Sequence, residues 1–256
     1  MRLKIQCWRW RYSSIVGALC ALLSQATTAA EIHVAVAANF IAPMQQIAAD
    51  FASASGHKLL LSFASTGQLY AQIKHGAPFE VLLAADQETP ARLEQEGLAV
   101  PGSRFTYAVG SLVLWSKQAT LVDQQGMVLQ RGYFQHLALA DPKRSPYGAA
   151  SIEVLRRLGQ LERLQPKFVQ GENIAQTYQF VASENAELGF VARAQVFADG
   201  VLKEGSAWIV PSQLHSPITQ DAVTLKQGQG KPAVSALVDY LRSAAVRQRL
   251  RFYGYQ

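Results

Sequence analysis

Two short polar turns near the start of the chain each join a strand-like run to a helical pattern. The turn Ala38-Asn39-Phe40 follows the run EIHVAVA, and the turn Ser65-Thr66-Gly67 follows LLLSFA. The first backbone N–H groups of a helix have no partner inside it, and the helix dipole adds partial positive charge at the same point. Such turns can hold an anion without a basic side chain, so the pattern predicts a binding site for a small anion.

The side chains of these turns allow two interpretations. Ser65 and Thr66 carry hydroxyl donors directly before Gly67, which lets the backbone approach a ligand closely. Ser and Thr at this place are also common helix caps. The amide of Asn39 could donate to an anion, or its oxygen could cap the helix, and both alternatives stay open.

Two later turns have the same character. DPKRSPYGAAS follows the run LALA and places Tyr147 at a helix entrance, and GENIAQTYQF opens a helix at Asn173-Ile174. The backbone N–H of Ile174 could point into a cleft, and the Tyr147 hydroxyl could donate there, although a Tyr at a helix start is also a common packing residue. Four such turns that converge predict one site more specifically than any single turn.

Enzymatic signals are weak in this sequence. The five histidines are scattered without metal-ligand spacing, and the chain has no G-x-S-x-G, Walker A or G-x-G-x-x-G motif. We therefore expect no catalytic residue, no cofactor and no directly ligated metal. A secreted hydrolase that uses Ser65 with a distant histidine remains the alternative from a different functional class.

Residues 1–30 have the pattern of a secretory signal peptide. Four basic residues precede an apolar stretch from Ile15 to Leu23, and small residues follow, with cleavage expected after Ala29 or Ala30. Both cysteines, Cys7 and Cys20, lie in this leader, so the mature chain is expected to have no disulfide. Removing the leader's four basic residues from the total of 24 leaves 20 against 18 acidic residues, a net charge of +2. This small excess argues against a nucleic-acid partner.

The mature sequence alternates strand-like runs with helical patterns, which predicts an α/β fold with mostly parallel sheets. The predicted strands are 32–37, 58–63, 81–84, 137–140, 188–191 and 222–225, and the predicted helices are 40–54, 67–75, 88–96, 148–158, 174–182 and 233–242. Two further strand-like stretches, 106–115 and 217–225, are predicted crossings between two lobes. Residues 31–110 with 218–256 would form the first lobe and residues 111–217 the second, with the ligand in the cleft between them.

At these residues the chain resembles the ModA family, the periplasmic molybdate-binding proteins of ABC transporters. The resemblance covers essentially the whole mature chain and is carried by the segments AVAANF, FASTGQLYAQIKHGAPFEVLLAADQ, DPKRSPYGAAS, GENIAQTYQFVASENAELGFVA and LVDYLRSAAVRQRLRFYGY. It implies a two-lobed periplasmic-binding fold of type II and a tetrahedral oxyanion, molybdate or tungstate, held by neutral donors. It also implies a periplasmic location, an ABC permease as partner and, we expect, a monomer. A receptor for sulfate or another small anion is the alternative within this class.

Carried over by residue, the resemblance implies Asn39, Ser65 and Thr66 as ligand-binding residues of the first lobe, and Tyr147 and Ile174 as those of the second. One branch of the family donates from a tyrosine after a Gly-hydrophobic-Val strand, where this chain has Ala192. We expect the Tyr147 hydroxyl to replace that donor and to face an open, hydrated cleft. Ala38 is also non-polar where some relatives have a hydroxyl.

Overall fold

The structure of the protein, a computed structural model, describes residues 29–256. The predicted signal peptide lies outside the described residues except for its last two positions. The strands are β1 (Glu31–Ala37), β2 (Lys58–Ala64), β3 (Val81–Leu83), β4 (Phe105–Gly110), β5 (Leu112–Ser116), β6 (Leu137–Ala140), β7 (Phe168–Gly171), β8 (Leu188–Ala192), β9 (Phe197–Ala198), β10 (Val201–Leu202), β11 (Ser206–Ile209) and β12 (Ile218–Thr224). The α-helices are α1 (Ile41–Ser55), α2 (Thr66–Lys74), α3 (Glu88–Gln95), α4 (Val128–Arg131), α5 (Pro146–Arg157), α6 (Leu161–Leu164), α7 (Ile174–Ala182), α8 (Arg193–Val196), α9 (Pro232–Leu241) and α10 (Ala244–Phe252).

Ten of these strands form two five-stranded sheets. The first sheet has the order β2-β1-β3-β12-β4 and the second has the order β11-β5-β8-β6-β7, while β9 and β10 pair as a separate hairpin. The chain passes from the first sheet to the second between β4 and β5 and returns between β11 and β12. The molecule is therefore an α/β protein with two lobes, each built around one sheet.

The sheets are mixed, so the expectation of mostly parallel sheets is wrong. Strands joined through helices pair in parallel, as β1 does with β2 and β3, and β6 with β7 and β8. The strands next to the crossings pair antiparallel, as β12 does with β3 and β4, and β5 with β8 and β11. A strand that arrives from the other lobe needs no crossover helix, so the handedness rule for parallel units does not constrain it.

Side chains along the strands alternate between two apolar layers. On β1, Val34 and Val36 pack in a core cluster with α1, α9 and α10, whereas Ala35 faces the opposite cluster with residues of α2 and α3. A strand buried on both faces shows a continuous apolar run, as EIHVAVA nearly does. Because both faces are covered, the polar ends of the strands are the places left for a site.

Most of the predicted elements occur in the structure, with shifts at their ends. The predicted strand 106–115 is two strands, β4 and β5, which belong to different sheets. Helix α5 begins at Pro146, two residues before the predicted start, because Ser145 caps it. Strands β7 and β11 were not predicted, since both lie at sheet edges where partial exposure weakens the apolar pattern.

No α-helix within residues 29–256 is both long enough and apolar enough to cross a membrane.

The close packing of α5 on the end of β6 yields a first prediction. A Cβ atom at Gly148 would overlap the backbone carbonyl of Ala140. We expect Gly148→Ala to lower the free energy of unfolding by about 1–3 kcal/mol, because backbone cannot move aside as a flexible side chain can. This strain exceeds the gain of up to about 1 kcal/mol that Ala brings over Gly in a helix.

Urea denaturation measures the effect, with Ser235→Ala at an exposed position of α9 as the control. Equal stability of the Gly148 variant and the unaltered protein would contradict the packing described here.

Candidate functional site

A small cavity lies between the two lobes, at the ends of the strands. Its volume is about 10 Å³, and all the residues predicted from the sequence line it. The lining residues are all neutral: Ala37, Ala38, Asn39, Ser65, Thr66 and Ala85 from the first lobe, and Ser145, Pro146, Tyr147 and Ile174 from the second. The predicted donors, which are up to 135 positions apart in the chain, thus meet at one place.

A larger cleft with charged walls continues from this cavity. The two spaces share Ala85, Ser145 and Pro146. The cleft is also lined by charged residues of both signs, namely Asp86, Glu88, Arg92, Lys143, Arg144 and Glu153. Charge is therefore present on the approach between the lobes and absent from the lining of the small cavity.

Asn39 lies in the short 3-10 turn Ala38–Phe40 that precedes α1, and it is buried. Its amide Nδ2 donates to Gln220 Oε1 at 2.9 Å and to the Tyr255 hydroxyl at 3.1 Å. The residue in the cap position of α1 is Phe40, which makes no side-chain cap hydrogen bond. Both amide hydrogens of Asn39 are therefore used within the protein, so the side chain neither donates to the cavity nor caps α1. The group of Asn39 that remains as a candidate ligand donor is its backbone N–H.

Ser65 is the cap of α2, as the alternative interpretation held. Its hydroxyl accepts the Gln68 N–H at 3.4 Å, and Gln68 Oε1 accepts the Ser65 N–H at 3.1 Å and its hydroxyl at 2.9 Å. These reciprocal bonds form a capping box. Thr66 differs, since its hydroxyl accepts the Ala85 N–H at 3.0 Å and keeps its own proton available to a ligand.

Tyr147 lies at the start of α5, where Ser145 caps the helix and Pro146 occupies its first position. The Tyr147 side chain is 1% exposed, and its hydroxyl accepts a hydrogen bond from Gln220 Nε2 at 3.3 Å. The expectation of an open, hydrated cleft around this hydroxyl is therefore wrong. Closure of the two lobes around the cavity explains the burial.

Ile174 is the first residue of α7, and its backbone is the relevant group. The side chain of Asn173 caps this helix by accepting the N–H groups of Ala175 and Gln176, both at 3.0 Å. The cap satisfies the second and third N–H groups of the helix and leaves the first, that of Ile174, beside the cavity.

The same pattern holds at each helix start around the cavity. Among residues 29–256, no hydrogen-bond partner is found for the backbone N–H groups of Asn39, Thr66, Tyr147 and Ile174. Buried N–H groups without partners are rare in folded proteins. Four of them around one neutral cavity form a ready-made anion site.

Ala192 does not contribute a donor to this cavity. It is fully buried, and its backbone N–H donates to Gln195 Oε1 at 2.8 Å. Gln195 in turn donates through Nε2 to the Ile174 carbonyl at 3.0 Å. This contact fixes the start of α7 from outside the cavity.

Three buried residues that were not predicted from the sequence lie next to the residues that line the cavity. They are Tyr107 on β4, Gln220 on β12 and Tyr255 near the C-terminus. Tyr255 donates its hydroxyl to the Asn39 carbonyl at 2.9 Å. The Tyr107 hydroxyl lies within donating distance of Gln220 Oε1 at 2.9 Å and of the Ala84 carbonyl at 3.0 Å. The polar pair Gln-Asp inside the strand ITQDAVT was the available signal for Gln220, while nothing local marks Tyr255.

Burial decides the protonation state of the phenols. It raises the pKa of Tyr147 well above its usual range, and the neighbouring phenol of Tyr255 adds to the shift. It likewise raises the pKa of Tyr107 and of Tyr255. A phenol whose pKa is raised stays neutral at physiological pH, so Tyr147 keeps its O–H donor.

Direct contacts join the two lobes beside the cavity. The Gly67 N–H donates to the Arg144 carbonyl at 3.0 Å, and Gln68 Nε2 donates to Glu172 Oε2 at 3.4 Å. A Cβ atom at Gly67 would lie only 3.0 Å from the Arg144 Cα, so this approach requires a small residue. The structure thus has the lobes in contact around the cavity.

Within the described part of the chain, no group of three or more His, Cys, Asp or Glu side chains could hold a metal ion.

A two-lobed α/β architecture with a neutral cavity in the cleft is that of a solute receptor. The chain belongs to the bacterial extracellular solute-binding protein family, whose model matches residues 32–256. This membership confirms the predicted fold class.

Two curated relatives and a solved structure place the chain more closely, in the ModA family, as the sequence motifs predicted. It is 56% identical to molybdate-binding protein ModA of Azotobacter vinelandii over an alignment of 234 residues. The alignment covers 91% of this chain and 93% of that protein. It is 48% identical to ModA of Rhodobacter capsulatus, with 91% of each chain covered. The periplasmic molybdate-binding protein of Azotobacter vinelandii matches its structure with a TM-score of 0.85 and 38% identity, over 88% of this chain and 98% of that one.

The contrast between Ser65 and Thr66 can be tested by substitution. We expect Ser65→Ala to lower the free energy of unfolding by about 0.5–2 kcal/mol, the usual effect of a lost helix cap. Thr66→Val keeps the side-chain shape but removes the hydroxyl proton, so it should weaken ligand binding by about 1.5–3 kcal/mol, the value of a hydrogen bond to a charged group.

Urea denaturation and calorimetric titration with molybdate measure the two quantities for both variants. A larger loss of affinity in Ser65→Ala than in Thr66→Val would contradict the roles given to them.

Proposed function

We propose that this protein captures molybdate outside the cytoplasm and delivers it to the permease of an ABC transporter. The observation that carries the proposal is a neutral cavity lined by four residues at helix starts, for whose backbone N–H groups no hydrogen-bond partner is found among residues 29–256. The names of the relatives, which are molybdate-binding proteins, support the choice of anion.

The donor set suits an anion that is fully ionised. The backbone N–H groups around the cavity can only donate toward a ligand, whereas the two hydroxyls can donate or accept. The N–H groups are those of Asn39, Thr66, Tyr147 and Ile174, and the hydroxyls are those of Thr66 and Tyr147. A cavity without a carboxylate offers no charged acceptor for a protonated ligand. Each hydrogen bond to a charged oxygen contributes about 1.5–3 kcal/mol net, which offsets the desolvation of the dianion.

Size is the feature that separates the candidate anions. Molybdate and tungstate have the same shape and charge and longer metal–oxygen bonds than the sulfur–oxygen bonds of sulfate. Donors fixed on helix starts cannot move closer to a smaller anion. Fewer of their hydrogen bonds to sulfate would therefore have a favourable length and angle. We therefore include tungstate as a ligand and retain sulfate as the anion to be tested against it.

A binding role also fits Ser65 better than a hydrolytic one. The Ser65 hydroxyl bonds with Gln68, and none of the cavity residues is a histidine. A serine nucleophile requires a base within hydrogen-bond reach.

The remaining parts of the proposal concern the whole molecule. We infer that residues 31–110 with 218–256 and residues 111–217 are the two lobes that close on the ligand. The first sheet draws its strands from the former ranges and the second sheet from the latter, which supports this division. The signal peptide 1–30 would direct the protein to the periplasm, where it would act as a monomer without a nucleic-acid partner.

The choice of anion is tested by thermal unfolding with a panel of oxyanions. A ligand that binds only the folded state stabilises it by RT ln(1 + [L]/Kd), so molybdate and tungstate should raise the Tm by several degrees. Sulfate and phosphate at the same concentration should change it little. An equal shift with sulfate would reject the size argument, and no shift with any of the four would reject the proposed function.

The role of Tyr147 is tested by removing its hydroxyl alone. Tyr147→Phe should weaken molybdate binding by about 1.5–3 kcal/mol through one lost charge-assisted hydrogen bond. Because the hydroxyl is buried against Gln220, the variant should also lose about 1–3 kcal/mol of stability without ligand.

Calorimetric titration and urea denaturation check both effects, with Tyr133→Phe at an exposed position as the control. Unchanged affinity would mean that the second lobe holds its anion through backbone amides alone.

A further inference from the structure

Gln220 is the residue that touches the ligand-binding groups of both lobes. It lies on β12 at the return crossing and is fully buried. Its Oε1 accepts from Asn39 of the first lobe at 2.9 Å, and its Nε2 donates to Tyr147 of the second lobe at 3.3 Å. It does not itself line the cavity, so any effect on the ligand must pass through its neighbours.

The orientation of the Gln220 amide is fixed by its surroundings. Its Oε1 accepts from the Asn39 amide at 2.9 Å. The Tyr107 hydroxyl also lies 2.9 Å from this oxygen, but its single proton can go instead to the Ala84 carbonyl at 3.0 Å, so the Asn39 contact is the one that fixes the amide. Turning the amide over would place its NH₂ against the Asn39 amide, which can only donate there. The NH₂ end of Gln220 therefore faces Tyr147.

This orientation constrains the proton of Tyr147. A hydroxyl that accepts a hydrogen bond from an amide cannot donate its own proton back to the same nitrogen. The single proton must point elsewhere, either toward the neighbouring hydroxyl of Tyr255 or toward the cavity that the Tyr147 side chain borders. A charged oxyanion in the cavity is the stronger acceptor of the two. We propose that Gln220 is a positioning residue that directs the Tyr147 hydroxyl proton toward the bound oxyanion, an inference that rests on the proposed function.

The backbone around Gln220 is shaped for this contact. The pairing of β12 with β4 shifts register between Gln220 and Asp221, with Tyr107 as the extra residue on β4. A bulge of this kind re-aims side chains next to a site. Gly110, opposite Ile218, leaves the room required, since a Cβ atom there would overlap the Tyr147 hydroxyl and lie 2.6 Å from Gln220 Nε2.

Other side chains at position 220 would not give the same result. Methionine has a similar length but cannot hydrogen-bond to Tyr147 as a donor, so the phenol proton loses its fixed direction. An ionised glutamate would accept from Asn39 as Gln220 does, but its carboxylate would also accept the Tyr147 proton and draw it away from the cavity. A protonated glutamate could still donate to Tyr147, whereas an amide accepts on one side and donates on the other at any pH.

A double-mutant cycle between Gln220 and Tyr147 tests the proposal. Molybdate affinity is measured by calorimetric titration for the unaltered protein, Gln220→Met, Tyr147→Phe and the double variant. We expect Gln220→Met to weaken binding by about tenfold or more in the unaltered background, and by less than about twofold when Tyr147 is already Phe. A residue that only stabilises the fold would lower affinity by the same factor in both backgrounds.

Stability without ligand, measured by urea denaturation, and the variant Gln227→Met, at an exposed position, serve as controls. If Gln220→Met does not fold, Gln220→Glu keeps the accepting contact with Asn39, and its affinity for molybdate should fall at least about tenfold as the pH rises through the pKa of the introduced carboxyl, because only the ionised form draws the Tyr147 proton away. Equal losses in the two backgrounds, or an affinity of Gln220→Glu that does not fall as its carboxyl ionises, would overturn the role of Gln220 alone. Failure of the unaltered protein to bind any oxyanion would overturn the proposed function and this role together.

Discussion

Holding a doubly charged anion without a cation is the constraint on which the rest of this structure depends. An ion taken out of water loses several kcal/mol of solvation, and no charged side chain lines the cavity to return it. The compensation must come from hydrogen bonds that all donate inward. Helix starts supply such donors without adding charge, and a two-lobed fold can bring several of them together at the ends of its strands.

The helix caps show how the fold keeps these donors free. Ser65, Ser145 and Asn173 each accept N–H groups from the second or third position of their helices. Each cap stabilises its helix and leaves an earlier N–H beside the cavity. The side chains that look most like ligands in the sequence are thus partly structural, and the backbone next to them holds the donors.

The lobes meet around the cavity through contacts that a small residue permits, such as the Gly67 N–H with the Arg144 carbonyl. Behind the cavity, Gln220 and Tyr255 hold Asn39, and Gln220 also reaches Tyr147 across the crossing between lobes. A site divided between two bodies can be rigid only if both are tied at the same place. This buried network ties the two lobes together beside the cavity.

The sequence by itself determined the α/β class, most of the helices and strands, the polar turns and the family, because strand-to-helix turns and apolar periodicity are local features. It also determined which residues would surround the site, as the cavity contains Asn39, Ser65, Thr66, Tyr147 and Ile174. The tertiary structure alone decided which atoms of those residues are free, since the Asn39 amide donates to partners 181 and 216 positions away in the chain. It also decided the antiparallel crossings and the burial of Tyr147. The physical reason is that hydrogen-bond partners and solvent exposure depend on groups that only the packing of two lobes brings into contact.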